Sequence, residues 1–217
     1  PDLTPIRRAF GPAELAPLLQ ANGIDASILV QCRSALEETE AFLRIAHVTP
    51  FVIGVVGWTD LTDAALGDTL DRLRVSPGGD RLVGIRHQVH DEPDPDWLLR
   101  ADVRFGLEAV FARDLAYDLL VRTRELPAAI ATARAFPQAR FVLDHAAKPP
   151  IADGGSVEWS DRIAALAACS NVWCKVSGLA TEAKWNDWDA ELLFPYLRHV
   201  ANCFGEDRLI FGSDWPV

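Results

Sequence analysis

Methionine is absent from this chain of 217 residues, which begins at Pro1 and stops at Val217 directly after a strand-like segment. Together these features lead us to expect part of a longer polypeptide. Basic residues are outnumbered, with 21 lysines and arginines against 31 aspartates and glutamates and a net charge of −10. No run of them forms a stripe able to neutralise phosphates, which argues against nucleic acid and anionic membrane surfaces as partners. Nor does any apolar run approach the ~20 residues of a membrane-spanning helix, so a soluble protein is expected. Cysteine is sparse: Cys32, Cys169, Cys174 and Cys203 contain no CxxC pair. That excludes a disulfide scaffold, fits a reducing cytoplasm, and leaves burial as small apolar residues as their expected role. Neither GxGxxG nor GxxxxGK[ST] occurs, so the nucleotide site of a doubly wound sheet has no sequence support.

What is present is a core-forming composition, 49% hydrophobic, in a length suited to one domain over residues 1–217. Short unalternating apolar runs recur at Ser27–Val30, Phe51–Val56, Leu82–Ile85, Tyr117–Val121, Phe141–Leu143, Val172–Val176 and Leu209–Phe211. Such runs suit strands buried on both faces. Helical periodicity lies between them, over 12–21, Leu36–His47, Thr62–Arg74 and 127–136, with Pro12 and Pro127 suited to first turns and Ser160 and Asp189 to N-caps. The runs repeat at roughly the length of one βα unit, and the leading helix has no strand before it. The pattern predicts an α/β fold, a (β/α)8 TIM barrel lacking its first strand and last helix.

In such a barrel the strand C-terminal ends open onto the face that carries the chemistry. The predicted strands end, in order, at Gln31, at Trp58, at Arg86-His87 with His90 beyond, at Asp144-His145 with Lys148 following, at Lys175 and Ser177, and at Asp214, while the run over Tyr117–Val121 begins with Tyr117-Asp118. Polar groups also gather at strand ends as caps and rim salt bridges, and His47 and His199 read as structural. Asp214, held in a Gly-Ser turn before Trp215-Pro216, is placed to take a proton from water or to bind a divalent cation. His145 suits a neutral imidazole ligand or a donor that polarises a carbonyl. Asp144 is expected to point outwards, because neighbouring strand residues face opposite ways. Arg86 offers a fork for a carboxylate or vicinal hydroxyls, or else a rim salt bridge. Trp58, Trp185 and Trp188 are either sugar platforms or packing.

Five segments carry a resemblance: Val83-Gly84-Ile85-Arg86-His87, Ala116-Tyr117-Asp118-Leu119-Leu120, Val142-Leu143-Asp144-His145-Ala146-Ala147-Lys148-Pro149, Cys174-Lys175-Val176-Ser177-Gly178-Leu179 and Phe211-Gly212-Ser213-Asp214-Trp215-Pro216. In this order, from about residue 11 to the end, the chain resembles the amidohydrolase-2 group of the amidohydrolase superfamily, within it the branch of L-fuconolactonase and L-rhamnono-lactonase. The resemblance implies lactone hydrolysis with Asp214 as general base or metal-ligating aspartate and His145 as the strand-end histidine. It implies substrate contacts at Arg86, His87, His90 and Tyr117, to which the strand-end positions Gln31 and Lys175 are added as expectations. Members carry a His-x-His pair at the first strand, which this sequence lacks. The resemblance therefore implies either one divalent metal, zinc or manganese, shared by Asp214, His145 and that pair, or metal-independent work. A metal-dependent decarboxylase of the same superfamily and a non-catalytic binding barrel are the alternatives. A small molecule is the expected partner, and self-association into a homo-oligomer is common for such barrels.

Overall fold

A computed structural model describes residues 4–217. Its elements alternate as α1 (Pro12–Ala21), β1 (Ser27–Val30), α2 (Leu36–Val48), β2 (Val52–Gly57), α3 (Leu66–Arg74), β3 (Leu82–His87), α4 (Ala101–Phe111), β4 (Ala116–Leu119), α5 (Leu126–Ala135), β5 (Phe141–Leu143), α6 (Val157–Ala167), β6 (Val172–Val176), α7 (Ala190–Phe204) and β7 (Leu209–Phe211). All seven strands form one sheet in the order of the chain, and every pair is parallel. Right-handed crossovers that always step the same way put every connecting helix on one face. The opposite face is the inner one.

Two helix starts differ from expectation for local reasons. The third helix begins at Leu66 rather than Thr62, because the carboxylates of Asp60 and Asp63 accept from the backbone N–H of Thr62 and Ala65, both at 2.8 Å. Those turns satisfy donors that a helix would otherwise have needed. The N-cap of α6 is Ser156, whose Oγ accepts from Trp159 N at 3.3 Å, while Ser160 sits inside the helix and donates to Ser156 O. Asp189 does cap α7, accepting from Leu192 N at 2.9 Å.

Between sheet and helices, the outer-facing Val55, Ile85, Tyr117, Phe141 and Cys174 pack with Leu43, Leu70, Leu107 and Ile163 in one continuous core. Cys174 behaves as the small apolar residue expected of it, its thiol pushed up to about 12 by burial; Cys32, by contrast, is exposed. Among the described residues no helix is long and apolar enough to cross a membrane.

The inner face holds charge instead. Register pairs Arg86 with Asp118, and Arg86 Nη1 donates to Asp144 at 2.6 Å. Lys175 Nζ lies 2.6 Å from Asp144 and also contacts Asp118. Arg86 Nη2 reaches back to the backbone oxygen of Gln31 at the end of β1. Two cations thus neutralise two fully buried carboxylates, and one guanidinium ties together the ends of β1, β3 and β5. Burial opposes ionisation of both acids, with unequal results. Asp118 is pushed up to about 6 by desolvation, against the pull of Lys175, whereas Lys175 and Arg86 overcome burial at Asp144 and hold it below the usual carboxylate range.

Substituting Lys175→Met leaves two buried carboxylates with one cation and is expected to cost about 3–5 kcal/mol, read as a loss in the urea midpoint. The two acids respond to pH with opposite sign. Because the folded state raises the Asp118 pKa, its contribution is complete below the ordinary carboxylate range and is lost as pH rises through about 6. Asp144 contributes above its unfolded pKa and loses that contribution in acid. The stability of Asp118→Asn relative to the unsubstituted protein should therefore rise, by about 1 kcal/mol, between about pH 5 and about pH 7 in urea titrations.

Candidate active site

At the C-terminal ends of the strands the chain leaves β5 through a turn with no glycine. His145, Ala146, Ala147 and Lys148 have φ of 51°, 50°, 57° and 50°, a left-handed run that costs roughly 1–2 kcal/mol per residue. Contacts outside the turn hold it. Trp159 Nε1 donates to Ala146 O at 2.8 Å, Lys148 pairs with Glu182 at 2.8 Å, and Ala146 and Ala147 are buried. The register overturns the outward placement expected of Asp144: inner-facing Asp118 pairs with Val142, alternation from Val142 carries Asp144 inwards too, and the left-handed turn that follows brings His145 to the mouth instead of into the helix layer.

There the His145 ring meets two partners. Nδ1 lies 2.8 Å from Ser177 Oγ just beyond β6, and Nε2 lies 3.8 Å from Asp214 Oδ1 just beyond β7. Burial is the leading influence on the imidazole and lowers its pKa despite the nearby Asp144 and Asp214 carboxylates, which keeps the ring neutral. Asp214 is itself in the left-handed region, at φ 57°. Its side chain keeps 29% of its surface open and that of His145 12%, so both can be reached from solvent. Gly178 lies against both groups. A Cβ there would sit 2.6 Å from His145 Nδ1 and 3.1 Å from Asp214 Oδ2, and its φ is +62°.

The other expected site residues divide by sheet face. Gln31 and Arg86 bond to one another, with Gln31 Oε1 and Arg86 Nε buried and lacking a hydrogen-bond partner among the described residues. Lys175 is on the inner face, but its ammonium is held by Asp118 and Asp144 rather than presented at the mouth. Arg86 likewise makes the salt bridge weighed against recognition. Tyr117 is corrected outright: it pairs with Ile85 and Phe141, points into the helix layer and is completely buried, so it cannot touch a substrate in this arrangement. His87 also turns away from the pair. It stacks on Trp97 at 4.3 Å, accepts from Trp58 Nε1 at 3.0 Å and lies 2.7 Å from Glu92, which commits Trp58 to packing. His90 stands farther round the rim between Leu120 O and Asp91, its pKa lowered chiefly by burial. Sequence reasoning passed over Gly178 and Gly212; each would place a Cβ within 3.0 Å of a side chain at the mouth, a signal visible only in three dimensions.

Two side chains capable of ligating a metal converge here, and no group of three or more His, Cys, Asp or Glu suited to a metal is found among the described residues. The donor set present does not by itself fit a divalent ion. A groove of about 320 Å³ lined by Phe111, Phe136 and Arg140 lies by the N-terminal ends of β4 and β5 and brings no acid–base pair together. The mouth is the candidate site. Replacing Gly178 by alanine should displace His145 from Asp214. A turnover loss of at least tenfold is expected, with thermal stability lowered by about 1–2 kcal/mol; unchanged turnover would show that the packing around the pair is not critical.

The chain is 44% identical to L-fucono-1,5-lactonase of Burkholderia ambifaria over 215 residues, covering 99% of this chain and 73% of the relative. It is 38% identical to the enzyme of the same name from Burkholderia multivorans, covering 98% of this chain and 74% of that one. A crystal structure of an amidohydrolase from Burkholderia multivorans with bound zinc superposes with a TM-score of 0.92 at 37% identity, covering 99% of this chain and 76% of that chain. The family model for amidohydrolases matches residues 1–217. On these grounds the chain belongs to the amidohydrolase family.

Proposed function

We propose that the protein hydrolyses the lactone of a small sugar acid, a 1,5-lactone of the kind named for its Burkholderia relatives, and that its sheet supplies seven strands of a (β/α)8 barrel. The observation that carries the reading is the pairing of a neutral, donor-capable imidazole with a carboxylate 3.8 Å away at the open end of the sheet. Ester hydrolysis needs a base for water and a donor where negative charge grows on the carbonyl oxygen.

In this route Asp214 takes a proton from water as the water oxygen attacks the lactone carbonyl carbon. His145 Nε2–H donates to the carbonyl oxygen, which becomes the oxyanion. Collapse breaks the bond from the carbonyl carbon to the ring oxygen, and the proton held by Asp214 passes to that oxygen as it leaves as a hydroxyl. The product is the open hydroxy acid, which ionises. The exposed Trp185 and Trp188 offer apolar surface to a sugar. A divalent ion at the mouth would draw on His145 and Asp214 as ligands and supply Lewis-acid polarisation; the route above does not pass through it.

Asp214→Asn is expected to fold and to lose about a hundredfold or more in kcat, measured by pH-indicator hydrolysis of aldono-1,5-lactones with and without a chelator. Turnover that survives chelation supports Asp214 as a metal-free base. Turnover abolished by chelation and restored by zinc or manganese would make the pair metal ligands. Full activity in the asparagine variant would remove Asp214 from the mechanism.

A further inference from the structure

Asp214 sits at φ 57°, a left-handed backbone that disfavours residues other than glycine, so its turn has to be held. Two hydrogen bonds brace the turn from within: Ser213 Oγ accepts from Trp215 N at 3.2 Å, and Asp214 O accepts from Val217 N at 2.9 Å. Upstream, Gly212 N donates to Val176 O at 3.2 Å and ties the start of the segment to β6. Past that rung the turn is gripped through a ring. Phe10 lies against Trp215 with centroids 5.5 Å apart and planes at 81°, the edge-to-face arrangement that aromatic pairs prefer. Both side chains are half-buried.

Phe10 comes from the far end of the chain, and local sequence explains how it arrives. α1 runs into β1, so the helix ends beside the start of that strand and its first turn lies towards the mouth. Gly11 is extended and stands at the N-cap, and Pro12 opens the helix. Glu14 folds back with both oxygens: one accepts from Gly11 N at 3.1 Å, the other from Arg8 Nη1 at 2.6 Å. The guanidinium so placed stands 3.8 Å from the centre of the Phe10 ring, within cation–π range. Residues 8–11 thus form a strap fixed to α1 through Glu14 and to the Asp214 turn through Phe10. The Arg8–Glu14 pair is 54% and 45% exposed and contributes little by itself, which leaves the aromatic contact as the grip. Trp215 follows Asp214 directly, so a hold on the indole is a hold on the backbone that aims the carboxylate at His145 Nε2, 3.8 Å away. A phenyl ring has no acid–base chemistry, and its influence on the pair can only be one of position.

We propose that Phe10 is a positioning residue: through its edge-to-face contact with Trp215 it holds the Asp214 turn from outside and keeps the carboxylate in register with His145. Its consequence for turnover rests on the lactonase reading; its hold on Asp214 does not.

The test pairs steady-state kinetics with a crystal structure of the variant. Phe10→Leu keeps the apolar bulk of a half-buried position, removes the ring, and is expected to fold. Its kcat should fall about tenfold or more while KM stays within about twofold, and its crystal structure should show Asp214 drawn away from His145. Phe10→Tyr, which keeps the ring, should return kcat to within about twofold of the unsubstituted protein. An unmoved Asp214 in the leucine variant overturns the proposal, as does an unchanged kcat or a tyrosine variant as slow as the leucine one. A rise in KM alone also overturns it, because Phe10 would then be touching the substrate. If the unsubstituted protein turns over no lactone, the lactonase reading falls, and the place of Asp214 in the leucine structure decides the proposal by itself.

Discussion

The salt bridge from Arg86 to Asp144 is the constraint on which the candidate site depends. Asp144 is fully buried, and a buried carboxylate is tolerated only where cations and donors surround it. Arg86 answers with one arm and uses the other to grip the backbone of Gln31, while Lys175 divides its charge between Asp144 and Asp118. Because His145 follows Asp144 directly in the chain, anchoring the acid below also fixes where the imidazole emerges above. The charges on the inner face are thus spent on one another, and the chemistry we propose sits one layer higher, where His145 and Asp214 retain access to solvent.

Much of this was legible in the sequence. All seven strands were placed to within a few residues, because strands buried on both faces read as plain apolar runs between helical segments. The ends of those runs pointed to His145 and Asp214. What the sequence could not convey was sidedness. Tyr117 and Asp118 are adjacent at a strand end, and only the register that pairs Tyr117 with Ile85 and Asp118 with Arg86 sends the first into the helix layer and the second inwards. Asp144 is the converse case: the expectation took His145 as the inward strand residue and so turned Asp144 outwards, whereas the register puts Asp144 on the inner face with Val142 and Asp118 and a left-handed turn that no glycine announces brings His145 to the mouth. The late start of α3 had a local cause, since Asp60 and Asp63 compete with the helix for its own first donors.

Kinship and geometry bear on different questions. Identity of 44% with a lactonase over nearly the whole chain ties the protein to a family of enzymes. The structure adds which groups are free to act. Of the cations expected at the mouth, Lys175 is spent on neutralising buried acids, and Arg86 is held by Asp144.

The left-handed turn at 145–148 bears on how the molecule comes to its final form. Four non-glycine residues there adopt a backbone that their own chemistry disfavours, and the groups that make it tolerable come later in the chain: Trp159 from α6 and Glu182 after β6. The turn has no reason to persist while the chain up to β5 stands alone. The position of His145 is therefore set by parts of the chain that lie well after it in sequence, and loosening of α6 or of the segment beyond β6 would be felt first at this corner.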